Sequence, residues 1–265
     1  MLKIRLDALH LKNNGGLLIM IYQSENSFEV KEKIENSLVA ILPIGAVEAH
    51  GPHLPLGTDN FLAERLSERV AEKTGAFVLP TLPYGQVWSL KNFPGSINIS
   101  NESLISFIYD IGVSLYEQGF RVFAMINGHL GNAVAMKEAA RKLYALYPDF
   151  RILYLFYPGV KKITDEVREE KSAHTSYFHA CEIETSYMLY LAEEYVDMSK
   201  ALAEDPQIPM SADVTPTPWE EFTSTAVLGN ATLATKEKGE KIIEVAIKNM
   251  IKLIEGAKDG LKKVE

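Results

Sequence analysis

An α/β fold, a single domain with a mostly parallel β-sheet flanked by helices on both faces, is what the sequence predicts, and three observations predict it. Short apolar runs bounded by turn residues recur at 38–44 (LVAILPI), 76–80 (AFVLP), 121–126 (RVFAMI) and 151–157 (RILYLFY). Runs that are apolar at consecutive rather than alternate positions suit strands buried on both faces, the usual state of a parallel sheet. Helical patterns lie between these runs, and such alternation implies right-handed crossovers within one sheet. Finally, a chain of 265 residues with 47% hydrophobic content is long enough for one large core.

Taken in order, the first apolar run is GLLIMI (16–21), preceded by Lys3, Arg5 and Lys12. It falls far short of the ~20 residues of a membrane span and has no small-residue cleavage pattern behind it, so it reads as an edge strand or docking segment. Met20 offers an alternative start of translation, with the preceding residues as an extension. The expected organisation is an N-terminal extension and first helical segment over 1–37, one domain over 38–258, and a tail over 259–265.

The pattern over 60–73 places Phe61, Leu62, Leu66 and Val70 on one helical face, with Thr58 or Asp59 as N-cap and Gly75 just past the end. Asn101 is the expected cap of a helix that stops before Gly119, and Pro148 closes the next helix, from 132 to 147. The segment 179–195 (HACEIETSYMLYLAEEY) reads as a helix. Residues 205–219, with four prolines, read as an irregular stretch able to cover a site. The chain ends in an amphipathic helix with a packing stripe of Ile242, Ile243, Ala246, Met250 and Ile254.

A formal net charge of −8 argues against nucleic acid, because neutralising phosphates needs clustered Lys and Arg. A small-molecule substrate is expected, with no nucleic-acid and no membrane partner. Cys181 is the only cysteine, so no disulfide can form within the chain, and a reducing cytoplasm is the expected compartment. A dinucleotide-binding reading fails because PIGAVEAHG, after the first long strand, lacks the Gly-x-Gly-x-x-Gly spacing.

In a parallel sheet, ligands bind beyond the carboxyl ends of the strands. Two unusual loops fall there: GAVEAHGPHLPLGTD (45–59) and NGHLGN (127–132). Glu48 and His50 are two apart, so on an extended segment they point the same way. Thr58 can cap the following helix, which leaves Asp59 free to ligate a cation. His129 stands between glycines that let its loop turn sharply; alone, it also reads as a hydrogen-bonded structural histidine. On a helix beginning at His179, His179 and Glu182 share a face and Glu184 lies on another. Glu182 and Glu184 equally fit a charged helix start. Mixed imidazole and carboxylate ligands suit Zn, Mn or Fe better than Ca or Mg, and a carboxylate between two such sets can bridge a pair of ions about 3.5–4 Å apart.

Together with FPGSI (93–97) and HACEIETS (179–186), these loops resemble the creatininase family of metal-dependent amidohydrolases, and GNATLATKEKGEKIIE (229–244) is similar to its closing helix signature. The resemblance runs from about Leu38 to about Ile254. It implies a creatininase-like fold and two divalent ions, Zn with Zn, Mn or Fe. Glu48 and His129 would hold one ion, His50 the second, and Asp59 both. The family's namesake enzyme takes a further glutamate two residues after the histidine of the Asn-Gly-His motif, where this chain has Gly131. Glu182 is the expected replacement. His179 would pass a proton to the leaving nitrogen, and His53 would brace the loop by a hydrogen bond without ligating.

The implied activity is hydrolysis of a C–N amide bond, in a cyclic amide or formamide, by a metal-activated water. Leu90 stands where many relatives have histidine, and tyrosine and phenylalanine replace tryptophans before His179, so a substrate other than creatinine is expected. Relatives include deformylases and peptidases of modified peptides. A peptidase, or a non-catalytic metal-binding relative consistent with Gly131 and Leu90, are the alternatives. A homo-oligomer, as large as a hexamer, is implied by the resemblance.

Overall fold

The computed structural model describes residues 19–170, 174 and 177–261. Five strands form one sheet: β1 (Met20–Ile21), β2 (Val39–Ile44), β3 (Phe77–Val78), β4 (Val122–Asn127) and β5 (Arg151–Leu155). Their order is β1-β3-β2-β4-β5, and every pairing is parallel. β6 (Ala203–Glu204) and β7 (Gly229–Asn230) make a small antiparallel pair apart from it.

Side chains of a strand alternate between faces, and the consecutive apolar residues of β2 and β4 therefore serve two cores. Val39, Ile41, Val122, Ala124 and Ile126 pack on one face with α2 (Thr58–Thr74), α6 (Glu182–Leu191) and α7 (Lys236–Leu261). Ala40, Leu42, Ile44, Phe123 and Met125 pack on the other with α1 (Ser27–Ile34), α3 (Asn101–Glu117) and α4 (Ala133–Leu146). The stripe expected on α7 is fully buried, from Ile242 to Ile254. A short α5 (Lys161–Val167) follows β5.

Several boundaries differ from expectation for local reasons. α2 begins two residues early with Gly57 as N-cap, and Thr58 donates its hydroxyl to Pro55 O at 2.7 Å instead of capping. Gly75 ends α2 in the left-handed conformation, as expected. Ser100, not Asn101, caps α3 by accepting from Ser103 N. α6 starts at Glu182 rather than His179, because Ala180 takes a positive φ of 47° that no helix continues. The sheet also reaches back before residue 38: β1 pairs with β3, and Val30 and Ile34 of α1 lie in the second core. Residues 1–18 and 262–265, with most of the expected N-terminal extension and of the tail, lie outside the described residues.

The connections explain where a site can form. β2 continues into α2 on one face, whereas its neighbour β4 continues into α4 on the other. Two adjacent strands whose chains leave to opposite faces open a crevice at their carboxyl ends. Gly128 N donates to Ile44 O at 2.8 Å and ties the two strand ends together there.

Candidate metal centre

Asp59 enters this crevice from the first turn of α2, and its helix start comes unusually close to the loop after β4. A Cβ on Gly128 would lie 2.1 Å from Asp59 O, so only glycine permits the approach. Asn132, fully buried, links three loops: it donates to Gly45 O at 2.9 Å and accepts from Gln86 N at 2.9 Å. These contacts fix Glu48, Asp59 and His129 on one rigid floor.

The three imidazoles of the site share one pattern. His50 Nδ1 donates to Glu48 O at 3.1 Å, His129 Nε2 to Gln86 O at 2.7 Å, and His179 Nε2 to Ala49 O at 2.7 Å. A carbonyl only accepts, so each bond assigns a tautomer and leaves the other ring nitrogen facing inward. What those nitrogens face is carboxylate. His129 Nδ1 lies 3.0 Å from Glu48 Oε1 and 3.3 Å from Asp59 Oδ2. His50 Nε2 lies 3.4 Å from Asp59 Oδ1, 3.6 Å from Glu184 Oε2 and 3.9 Å from Glu48 Oε1. His179 Nδ1 lies 3.7 Å from Glu48 Oε1 and 3.8 Å from Glu184 Oε2. His50 Nε2 and Asp59 Oδ2 have no hydrogen-bond partner although both are buried.

Lone pairs facing anions repel unless a proton or a cation lies between them. Protons partly serve in the protein alone. Burial disfavours charge on His50, but Asp59, Glu184 and Glu48 outweigh it and push the imidazole up to about 10. Burial likewise opposes charge on His129, and Glu48 and Asp59 carry it well above its ordinary value. Burial pushes Glu184 up to about 7, and the two histidines hold Asp59 below the usual carboxylate range against its own burial. Burial, with His50 alongside, lowers His179 to about 4. The same atoms form three sets able to hold an ion, each within 4.8 Å: Glu48, Asp59 and His129; His50, Asp59 and Glu184; and Glu48, His50 and His179.

Glu48, His50, Asp59, His129 and His179 are thus brought together, and Glu182 is not. Its carboxylate accepts from Lys238 Nζ at 2.7 Å and from the amides of Glu169 and Glu170, on the far side of α6. Glu182 is the residue expected to stand in for the acid missing at Gly131; the acid of α6 that enters the cluster is instead Glu184, whose Oε2 lies 3.6 Å from His50 Nε2. Gly131 itself could not carry a side chain without disturbance, since a Cβ there would lie 2.3 Å from both Gln86 O and His129 Nε2. His53 Nε2 bonds to Thr185 Oγ1 at 2.9 Å and stands behind the site. Gln86 and Asn132 were not singled out in the sequence, because their part is played through backbone bonds that no residue pattern announces.

Above the cluster lies a cavity of about 210 Å³, floored by Glu48, Asp59, His129, His179 and Glu184. Its walls include Val87, Leu90, Leu130, Phe156, Tyr177 and Trp219. Trp219 ends the proline-rich stretch expected to cover the site, and its ring meets that of His179 edge-on at 5.5 Å.

A parallel α/β sheet with acids and imidazoles converging at its switch point defines an α/β protein with a candidate metal site, and comparison with known proteins names the family. The family model described as creatininase, creatinine amidohydrolase, matches residues 23–254. The creatinine amidohydrolase of Pseudomonas putida is 32% identical over 225 residues, spanning 80% of this chain and 86% of that protein. The 3-dehydro-scyllo-inosose hydrolase of Thermotoga maritima is 26% identical, over 88% and 82%. The mycofactocin precursor peptide peptidase of Mycolicibacterium smegmatis is 26% identical, over 85% and 85%. Among solved structures, a creatininase described as Mn superposes with a TM-score of 0.80 at 28% identity, covering 89% of this chain and 97% of that one. A creatininase variant of Zn-Zn type does so with a TM-score of 0.80 at 29% identity, over 89% and 97%. The chain belongs to the creatininase family and is a hydrolase of that family.

Proposed function

We infer that this hydrolase is a binuclear metal-dependent amidohydrolase that cleaves a C–N bond, other than an ordinary peptide bond, in a small cyclic amide or formamide. The observation that carries the reading is the shared pattern of His50, His129 and His179: each donates outward to a backbone carbonyl and turns its free nitrogen toward Glu48, Asp59 and Glu184. Outward bonds of this kind orient metal-ligating histidines. Glu48, Asp59 and His129 would hold one ion, and His50, Asp59 and Glu184 the other. Asp59 is suited to bridging, since Oδ1 faces His50 and Oδ2 faces His129. The donor set fits Zn with Zn, Mn or Fe.

When bound, such ions lower the pKa of water to about 7 and polarise a carbonyl. The chain's residues supply the rest. Without the ions, burial and the neighbouring His50 hold His179 at about 4, so its imidazole is neutral at neutral pH. It can take a proton at Nδ1 from the attacking water and return it to the departing nitrogen, with Ala49 O fixing the ring through Nε2–H. The apolar walls exclude water and leave the cluster as the polar floor.

The cavity, about 210 Å³, lies below the ~300–1,000 Å³ of pockets that enclose drug-sized ligands, which favours a compact molecule over a peptide. Leu90, 2% exposed, lines it where the resemblance places histidine in many relatives, in keeping with a substrate other than creatinine. Among the described residues no helix is long and apolar enough to cross a membrane. A homo-oligomer, up to a hexamer, is proposed on the resemblance, and a cytoplasmic location on the single cysteine, Cys181. Protein reconstituted with Zn or Mn should turn over members of a panel of cyclic amides and formamides and lose that activity on chelation; turnover that chelators leave intact would remove the metal from the mechanism.

A further inference from the structure

Two glutamates begin α6 and face opposite ways. At about 100° per residue, Glu182 and Glu184 lie about 200° apart around the helix, so the turn that points one into the cluster points the other out of it. Glu182 is only 1% exposed, and both its oxygens are engaged. Oε1 accepts from Lys238 Nζ at 2.7 Å and Glu169 N at 2.9 Å, and Oε2 accepts from Glu170 N at 3.1 Å. Lys238, on the first turn of α7, gives its other protons to Glu169 Oε1 at 2.5 Å and Leu233 O at 2.7 Å.

A buried ion pair often contributes no more stability than an apolar pair of similar size, so its value has to be sought in what it holds in place. Here the two held amides are those of Glu169 and Glu170, and Glu170 is joined to the cavity residue His179 through β7. The Glu170 carboxylate in turn accepts from Asn230 N. On the far side of the wall, His179 O accepts from Leu228 N at 2.9 Å, and Ala180 N donates to Glu184 Oε2 at 2.6 Å. His179 is therefore held on the Glu182 side through Asn230 and Leu228, and on the other through Ala180 by Glu184.

We propose that Glu182 and Lys238 form a positioning pair that holds the backbone at Glu169 and Glu170 and so, through Asn230 and Leu228, sets His179 against the cavity. The pair touches neither cluster nor substrate, and it rests on the hydrolase reading only for what the wall encloses. Trp219 reports the wall's position directly, since its ring lies 5.7 Å from that of Tyr177 and 5.5 Å from that of His179.

The test uses the full chain reconstituted with Zn and carrying Trp88→Phe, which leaves Trp219 as the sole tryptophan. Lys238→Met should shift Trp219 emission to the red and make it more accessible to acrylamide, with the metal content of the parent retained. Lys238→Arg, which keeps the charge and the donors, should restore the parent emission. Glu182→Gln, which keeps the volume, should give the same red shift and serves if the methionine variant does not fold. Unchanged emission in Lys238→Met, or in Glu182→Gln, would overturn the proposal. Loss of one ion per chain in Glu182→Gln would also overturn it, by making Glu182 a ligand. Absence of metal from the parent protein would instead count against the metal reading, with the emission result still deciding the positioning role.

Discussion

Asp59 offers one oxygen to each half of the cluster, and His50 Nε2 waits opposite it with no partner. Asp59→Asn should therefore remove both ions while the far-ultraviolet circular dichroism of the fold persists; an Asn variant retaining two ions contradicts the bridge. Glu184→Gln should lose one ion, and Glu182→Gln none. Restoring an acid at the position where the family's namesake carries one should fail: Gly131→Glu drives its Cβ against Gln86 O and His129 Nε2, so metal content should fall rather than rise. Acidity acts in a definite direction. His50 at about 10 and Glu184 at about 7 keep protons in the metal-free cluster at neutral pH. Ligands must shed those protons, so binding releases them, and affinity should rise from about pH 6 to about pH 8. Chelator competition at both ends measures this; affinity that falls with pH contradicts it.

Elements were legible in the sequence where burial on both faces wrote consecutive apolar residues, as in β2 and β4. The start of α6 was not. Placing His179 and Glu182 on one helical face assumed a helix from His179 onward. The positive φ of Ala180 instead delays the helix to Glu182 and frees His179 to bridge to Leu228. Of two acids two residues apart, the one that enters the site is then chosen by how α6 docks on α2 and α7, which is tertiary information. Thr58 shows the same limit, since it lies inside α2 with its hydroxyl donated to the Pro55 carbonyl, and Gly57 takes the N-cap position. Two predictions belong at this scale. Gly128→Ala must push α2, and with it Asp59, away from the β4 loop, and metal content should drop although residue 128 itself is no ligand. Met250→Ala, deep in the α7 stripe, should cost about 2–5 kcal/mol in denaturant unfolding and leave metal content unchanged.

At the scale of the molecule, the parallel order β1-β3-β2-β4-β5 explains why residues as far apart as Glu48 and Glu184 meet. The loops after β2 and β4 flank the crevice where their chains part, and α6 closes it from the side. The loop motifs made most of this site readable from the sequence, because rigid, glycine- and proline-rich loops carry their ligands at fixed spacing. The acid from α6 was legible only as a choice between neighbours. Ions bound by the folded chain alone should also stabilise it, so chelation should lower the melting temperature. The central claim is that Glu184, with His50 and Asp59, completes a second metal position. Metal content per chain, measured by mass spectrometry on chelator-free protein reconstituted with Zn and compared with Glu184→Gln, tests it most directly. The account predicts about two ions per chain, falling to about one in the variant, as a two-metal hydrolase requires. Equal metal content in the two proteins, or none in the parent, would contradict it.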